Sequence, residues 1–195
     1  MIEYKLFLGY LAIIITFASY IPYFRNIFIG KTKPHVFSWL VWTFISGIAF
    51  AAQIVEGGGA GAWATGATTL ICITIFLLAI FKGQRTFDAF DWFAFSLALL
   101  GILLWRITNQ PLLAIVLVTI ADAISSLLTF RKGFYKPYEE TMSTFALNSF
   151  KWVIAIFALQ VFTVSTWLYP ASLVLTNGSI ALMILIRRKQ LKTTD

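Results

Sequence analysis

The sequence predicts an all-α integral membrane protein with seven transmembrane helices, and three observations predict it. Uninterrupted apolar stretches, each about as long as the roughly 20 residues a bilayer crossing needs, fill nearly all of the 195-residue chain. Hydrophobic residues make up 59% of it and charged residues only 12%, with a mean hydropathy of +0.85, more apolar surface than a soluble domain of this length could hide. Lysines and arginines, finally, crowd onto every second connector between the apolar stretches.

The spans follow in order as Leu6–Phe24, His35–Val55, Gly61–Phe81, Trp92–Ile107, Pro111–Phe130, Thr141–Thr163 and Thr166–Ile186. Backbone polar groups in hydrocarbon must be satisfied inside the structure, which leaves helices or a closed barrel. Barrel strands alternate in hydrophobicity, whereas Leu70–Ile80 and Pro111–Ile120 are solidly apolar, so each element is read as a helix. The first is read as a span rather than a cleaved leader, because its apolar run exceeds a signal core and Glu3 and Lys5 give no clear positive start. The second begins after a basic connector at His35, read as interfacial, and the third after the flexible connector Gly57-Gly58-Gly59-Ala60-Gly61. The fourth is the shortest and is flanked by Asp91 and Arg106. Glu139 and Glu140 precede the sixth and are placed to cap it.

Positive charge sets the orientation. Twelve basic residues lie on one side: Arg25, Lys31, Lys33, Lys82, Arg85, Arg131, Lys132, Lys136, Arg187, Arg188, Lys189 and Lys192. Only Lys5 and Arg106 lie on the other. The N-terminus is therefore expected outside and the C-terminus in the cytoplasm, in a plasma or inner membrane. The net charge of +7 is then a topology signal, not the clustered face of a nucleic-acid binder. The single cysteine, Cys72, lies within the third span, which excludes an internal disulfide.

An internal duplication is visible. Gly30-Lys31-Thr32-Lys33-Pro34 is echoed by Gly133-Phe134-Tyr135-Lys136-Pro137 at an offset of 103 residues. Phe50-Ala51-Ala52-Gln53-Ile54-Val55 is echoed by Phe157-Ala158-Leu159-Gln160-Val161 at an offset of 107, which also places Thr69 over Thr176 and Lys82 over Lys189. The organisation expected is thus a first three-helix repeat over 1–82, a linker helix over 83–110 and a second repeat over 111–195. An odd linker gives both repeats one orientation, a common transporter plan with its site near the midplane between the copies.

Ser19-Tyr20-Ile21-Pro22-Tyr23-Phe24-Arg25-Asn26, then Gly30-Lys31-Thr32 and Phe37-Ser38-Trp39, resembles the PQ-loop motif. The seven-helix, three-plus-one-plus-three plan is similar to that of SWEET sugar transporters and their PQ-loop relatives. Tyr23 stands where that motif has glutamine, and the second copy has Ile124-Ser125-Ser126 without a proline. The resemblance implies alternating access around a central site, with Pro22 as a hinge and Asn177 of the seventh span bonding substrate. It also admits a receptor that binds cargo without moving a solute.

The residues themselves nominate a polar interior. Asp122 lies about 12 Å deep by helical rise, and an ionisable group there costs about 2.5–3.5 kcal/mol on insertion scales, so it should face inward and have a partner. Lys151 is the one basic residue inside a span, at nearly the same depth, with Asn148 and Thr144 on its face. The two charges are expected to form an ion pair, either a static scaffold or a proton- or substrate-responsive couple. Trp42 and Ser46 of the second span and Trp152 of the sixth suit the wall of a solute cavity, and Thr69 of the third span joins the lining. Trp39 fits an interfacial aromatic belt, and Gly61 and Gly66 suit close helix packing. Asn177 otherwise serves as an interhelical hydrogen bonder. No His, Cys or carboxylate spacing suits a metal, and no nucleophile has a base nearby, so neither a cofactor nor an enzyme activity is expected. The expected function is a transporter of a small polar solute (sugar, amino acid or vitamin precursor). The expected partners are lipid and that solute, with no nucleic acid and a homo-oligomer left open. The rival is a membrane receptor or assembly factor. A third idea, a chromophore held on Lys151 as a Schiff base, has no further support in the sequence.

Overall fold

The computed structural model describes residues 2–30, 33–83, 89–138 and 140–192, and among them every regular element is helical. The elements are α1 (Ile2–Phe28), α2 (Val36–Val55), a 3₁₀ turn (Gly59–Ala62), α3 (Trp63–Lys82), α4 (Ala89–Thr108), α5 (Pro111–Tyr135), α6 (Met142–Phe157) and α7 (Val164–Lys192). Five of these stretches, in α1, α2, the 3₁₀ turn with α3, α5 and α7, are long and apolar enough to cross a membrane; α4 and α6 carry shorter apolar runs. Lys31, Thr32, Arg85 and Glu139, along with the side chains of Asp91 and Lys132, lie outside the described residues.

The largest departure from the sequence reading is the sixth span, expected to continue to Thr163. The helix ends at Phe157, and Ala158–Thr163 form an irregular connector. Its polar backbone is satisfied by tertiary partners: Lys5 Nζ donates to the Leu159 carbonyl (2.7 Å) and the Gln160 N–H to the Gly58 carbonyl (3.0 Å). An apolar run cannot distinguish a helix from irregular backbone that neighbours satisfy. For the same reason the glycine connector is packed, not flexible. Gly57 and Gly59 hold φ of +74° and +59°, and a Cβ on Gly61 would lie 2.6 Å from the Leu159 nitrogen and 2.7 Å from the Ala155 carbonyl oxygen.

His35 is the N-cap of α2, its Nδ1 accepting from the Ser38 N–H at 3.3 Å. The N-cap of α6 is Thr141, whose side chain makes no capping bond, while the Glu140 carbonyl accepts from Arg188 at 2.6 Å. Trp39, expected at an interfacial belt, is buried to 6% and packs among Ile27, Ile71, Cys72 and Ile75.

Helix neighbours follow a simple rule. In the first trio α3 lies against both α1 and α2, and in the last trio α7 lies against both α5 and α6. Across the trios α1 meets α6 and α2 meets α5. α4 packs on α5 and α2.

The apolar interior falls into three bodies. One, with Ala12, Ile45, Ala49, Val118, Trp152, Ala155 and Tyr169, draws on both trios. A second, around Ile27, Trp39, Cys72 and Ile75, belongs wholly to the first trio. The third, around Ile180, Met183 and Ile184, belongs wholly to the last.

Candidate functional site

Six helices place a polar or ionisable side chain in the middle of the bundle. α3 presents Thr68 and Cys72 because its buried face runs Ala64, Thr68, Ile71, Cys72, Ile75 and Ala79, at the three- and four-residue steps of one helical stripe. α6 presents Asn148, Lys151, Trp152 and Ala155 in the same way. Lys151 is 1% exposed, its Nζ 3.4 Å from the Thr68 hydroxyl and 4.3 Å from the centre of the Trp152 ring. Trp152 in turn meets Tyr169 of α7 edge to face at 6.2 Å.

Asp122 of α5 is buried to 7% exposure. The Cys72 thiol lies beside the Ser46 hydroxyl and within electrostatic reach of both Asp122 and Lys151; Tyr20 of α1 and Tyr169 are within reach of Asp122 and Cys72. The cluster therefore holds one basic and one acidic side chain. Among the described residues these two form no salt bridge: the contacts of the Lys151 ammonium are Thr68 and Trp152. The direct ion pair expected from the sequence is thus absent from this conformation, because the two side chains occupy the cluster without meeting.

Other expected site residues divide. Ser46 is 2% exposed, its hydroxyl donating to the Trp42 carbonyl at 2.7 Å. Trp42 is half-buried and leans edge to face on Trp39 at 5.0 Å. Asn148 is 9% exposed, and its Oδ1 is fully buried with no hydrogen-bond donor among the described residues. Asn177 is half-buried and gives its Nδ2 to the Leu173 carbonyl of its own helix at 2.9 Å. Thr69 leaves the group. It lines a groove of about 370 Å³ among α2, α3 and α4, with Thr43, Gly47 and Trp105. One residue's step is about 100° of helix rotation, so Thr68 faces the centre and Thr69 a flank.

Pro22 is exposed, and α1 runs through it without a break. Sequence reasoning passed over a second proline, Pro170, inside α7. A proline lacks the N–H that would bond the carbonyl four residues earlier. That carbonyl belongs to Thr166, and Gln53 Nε2 of α2 takes it at 2.9 Å. Gln53 is fully buried, so the freed acceptor is satisfied from the other trio.

This bond is one of four links at the N-terminal end. With it come the bonds of Lys5 and Gln160 already given and Thr163 Oγ1 to Glu56 Oε2 at 3.5 Å. The hydrogen bonds described at the opposite end stay inside one trio, as where Arg188 grips the Pro137 carbonyl at 2.9 Å and Trp39 Nε1 donates to Tyr23 at 3.3 Å.

Fold and site together define an all-helical protein with several helices suited to a bilayer and a buried polar centre. Compared with known proteins, the chain matches no family model, no curated protein and no solved structure.

Proposed function

We propose that the chain is a small multi-pass membrane transporter in which α1–α3 and α5–α7 form two like-oriented units, joined by α4, that rock about the central cluster. All seven helices cross the bilayer on this reading, the N-terminus lies outside, and a small polar solute moves by alternating access. Exchanging α1 with α5, α2 with α6 and α3 with α7 maps each neighbouring pair outside α4 onto another neighbouring pair, as a duplicated unit requires. The PQ-loop resemblance of the first connector agrees with the same plan.

One observation carries the proposal: the two units are fastened to each other at the N-terminal end and packed separately at the other. Hydrogen bonds and a glycine contact join them at the first. At the second, the clusters around Ile75 and Ile184 each draw on one unit alone. By the positive-inside rule this conformer is closed to the outside and poised to part on the cytoplasmic side. Pro22 and Pro170 provide places where α1 and α7 can bend, since each lacks one backbone hydrogen bond. A receptor would need no such asymmetry.

The test is a tether. Glu56→Cys with Thr163→Cys, in a Cys72→Ser background, is bridged by a short reducible bifunctional thiol reagent in proteoliposomes. Uptake of labelled sugars, amino acids and vitamin precursors should stop on bridging and return on reduction. Uptake that continues through the bridged protein sinks alternating access; saturable binding without uptake in the unbridged protein makes it a receptor.

A further inference from the structure

We propose that the central site takes a small zwitterion, an α-amino acid or close analogue, with its carboxylate at Lys151 Nζ and its ammonium at Asn148 Oδ1, while the buried Asp122 balances the charge of Lys151 within the cluster. This rests on the reading of the cluster as the solute site and adds the chemical class.

Three unfinished bonding demands define the ligand. Lys151 is 99% buried, yet its ammonium has one neutral hydroxyl at the long distance of 3.4 Å and an aromatic face at 4.3 Å. Neither replaces an anion, and a buried ammonium calls for charge pairing and several acceptors. Asn148 Oδ1 is a buried acceptor with no donor among the described residues, so the ligand must bring an N–H or O–H. Asp122 is a buried carboxylate without a salt bridge among the described residues.

Geometry links the first two demands. Asn148 and Lys151 are three residues apart on one face of α6, which sets their Cβ atoms about 5–6 Å apart. A ligand whose anionic and donor groups are separated by a few atoms can serve both at once. The ring of Trp152 and the Thr68 hydroxyl then flank the carboxylate end.

Charge selects among solutes that would fit. The cluster contributes one Lys and one Asp, so a ligand of zero net charge leaves the interior neutral, while a monoanion or monocation leaves an uncompensated charge where the dielectric is low. A sugar is neutral but offers Lys151 no anion. A zwitterion meets both conditions.

The full chain in detergent is titrated with glycine, L-alanine, L-serine and L-leucine, following tryptophan fluorescence and thermal stability. L-lactate (no ammonium), L-alaninol (no carboxylate) and D-glucose are the controls. At least one amino acid should bind saturably, with the two single-charge compounds and glucose silent. Lys151→Met should weaken that binding roughly 10- to 100-fold, the worth of a charged hydrogen bond. That variant should fold, since an apolar chain of similar length replaces a buried, incompletely bonded charge. Lys151→Arg should recover part of the affinity. The lipid-side Ser179→Ala should bind as the parent protein does. Amino-acid binding equal in the parent and Lys151→Met overturns the assignment, as does binding of lactate, alaninol or glucose at least as tight, or no binding by any of the four amino acids. Uptake of glucose alone into proteoliposomes overturns the ligand class while leaving transport standing. Saturable amino-acid binding with no uptake keeps the class and removes transport.

Discussion

At the N-terminal end of the bundle, α2 with its glycine connector interlocks with the α6–α7 connector of the other trio; at the opposite end each trio packs on itself. The materials differ as much as the contacts. At the first, glycines at positive φ lie against the α6–α7 connector, and the side chains of Gln53 and Lys5 donate to the Thr166 and Leu159 carbonyls of the other trio. Apolar side chains and arginines capping carbonyls make the second a pair of separate footings. Backbone contacts tolerate little displacement, whereas side-chain clusters can separate as intact bodies. On the proposed function, this difference puts the parting of the trios at the C-terminal end.

Substitutions at the two ends test the difference between them. The largest effect should come from Gly61→Val, because its Cβ would fall 2.6–2.7 Å from the backbone atoms of Leu159 and Ala155, which cannot swing away. We expect a loss of about 3 kcal/mol by thermal unfolding in detergent. A fall in stability under about 1 kcal/mol would mean the joint is loose. Next is Gln53→Leu, which strands the Thr166 carbonyl and should cost about 2 kcal/mol. Adding Pro170→Ala should return much of this, since residue 170 then has an N–H for that carbonyl. If the double variant is no more stable than Gln53→Leu alone, the carbonyl account is wrong.

Lys5→Met removes a half-buried donor from the Leu159 carbonyl and should cost about 1 kcal/mol. In proteoliposomes it should also speed labelling of a cysteine introduced at Asn177, approached from the N-terminal side; unchanged labelling would detach Lys5 from the joint. The smallest effect should be Gly133→Ala at the other end. Its Cβ meets the flexible tip of Met183 at 3.0 Å and the Ile184 side chain at 3.4 Å, and alanine's helix preference of about 0.5–1 kcal/mol offsets this crowding, leaving stability nearly unchanged.

Much of the fold was legible beforehand for a single reason: in lipid, the apolar runs and the length of a crossing are nearly the same information. Hence α2, α3 and α5 begin within about two residues of their expected starts. α6 shows where that equivalence fails. Val161 and Phe162 are apolar enough to read as helix, and only Lys5 and Gly58, more than a hundred residues away, reveal why the backbone there is free to be irregular. The candidate residues are legible in the sequence as a list, but their arrangement is not. Asp122, Lys151, Asn148, Ser46 and Trp152 face inward as expected, because a polar residue in an apolar helix has nowhere better to point. Whether Asp122 meets Lys151, or whether Thr68 rather than Thr69 faces the centre, depends on helix rotations that packing sets.

Composition and pattern were enough to read apolar helices long enough for a bilayer and a small set of polar residues that belong inside, since polar groups are costly in hydrocarbon. Only packing decides that two ionisable groups are buried without a salt bridge, that the Thr166 carbonyl freed by Pro170 is taken by a glutamine 113 residues away from it, and that four hydrogen bonds between the trios gather at the N-terminal end. Those outcomes depend on distances between helices, and no local run of residues encodes them.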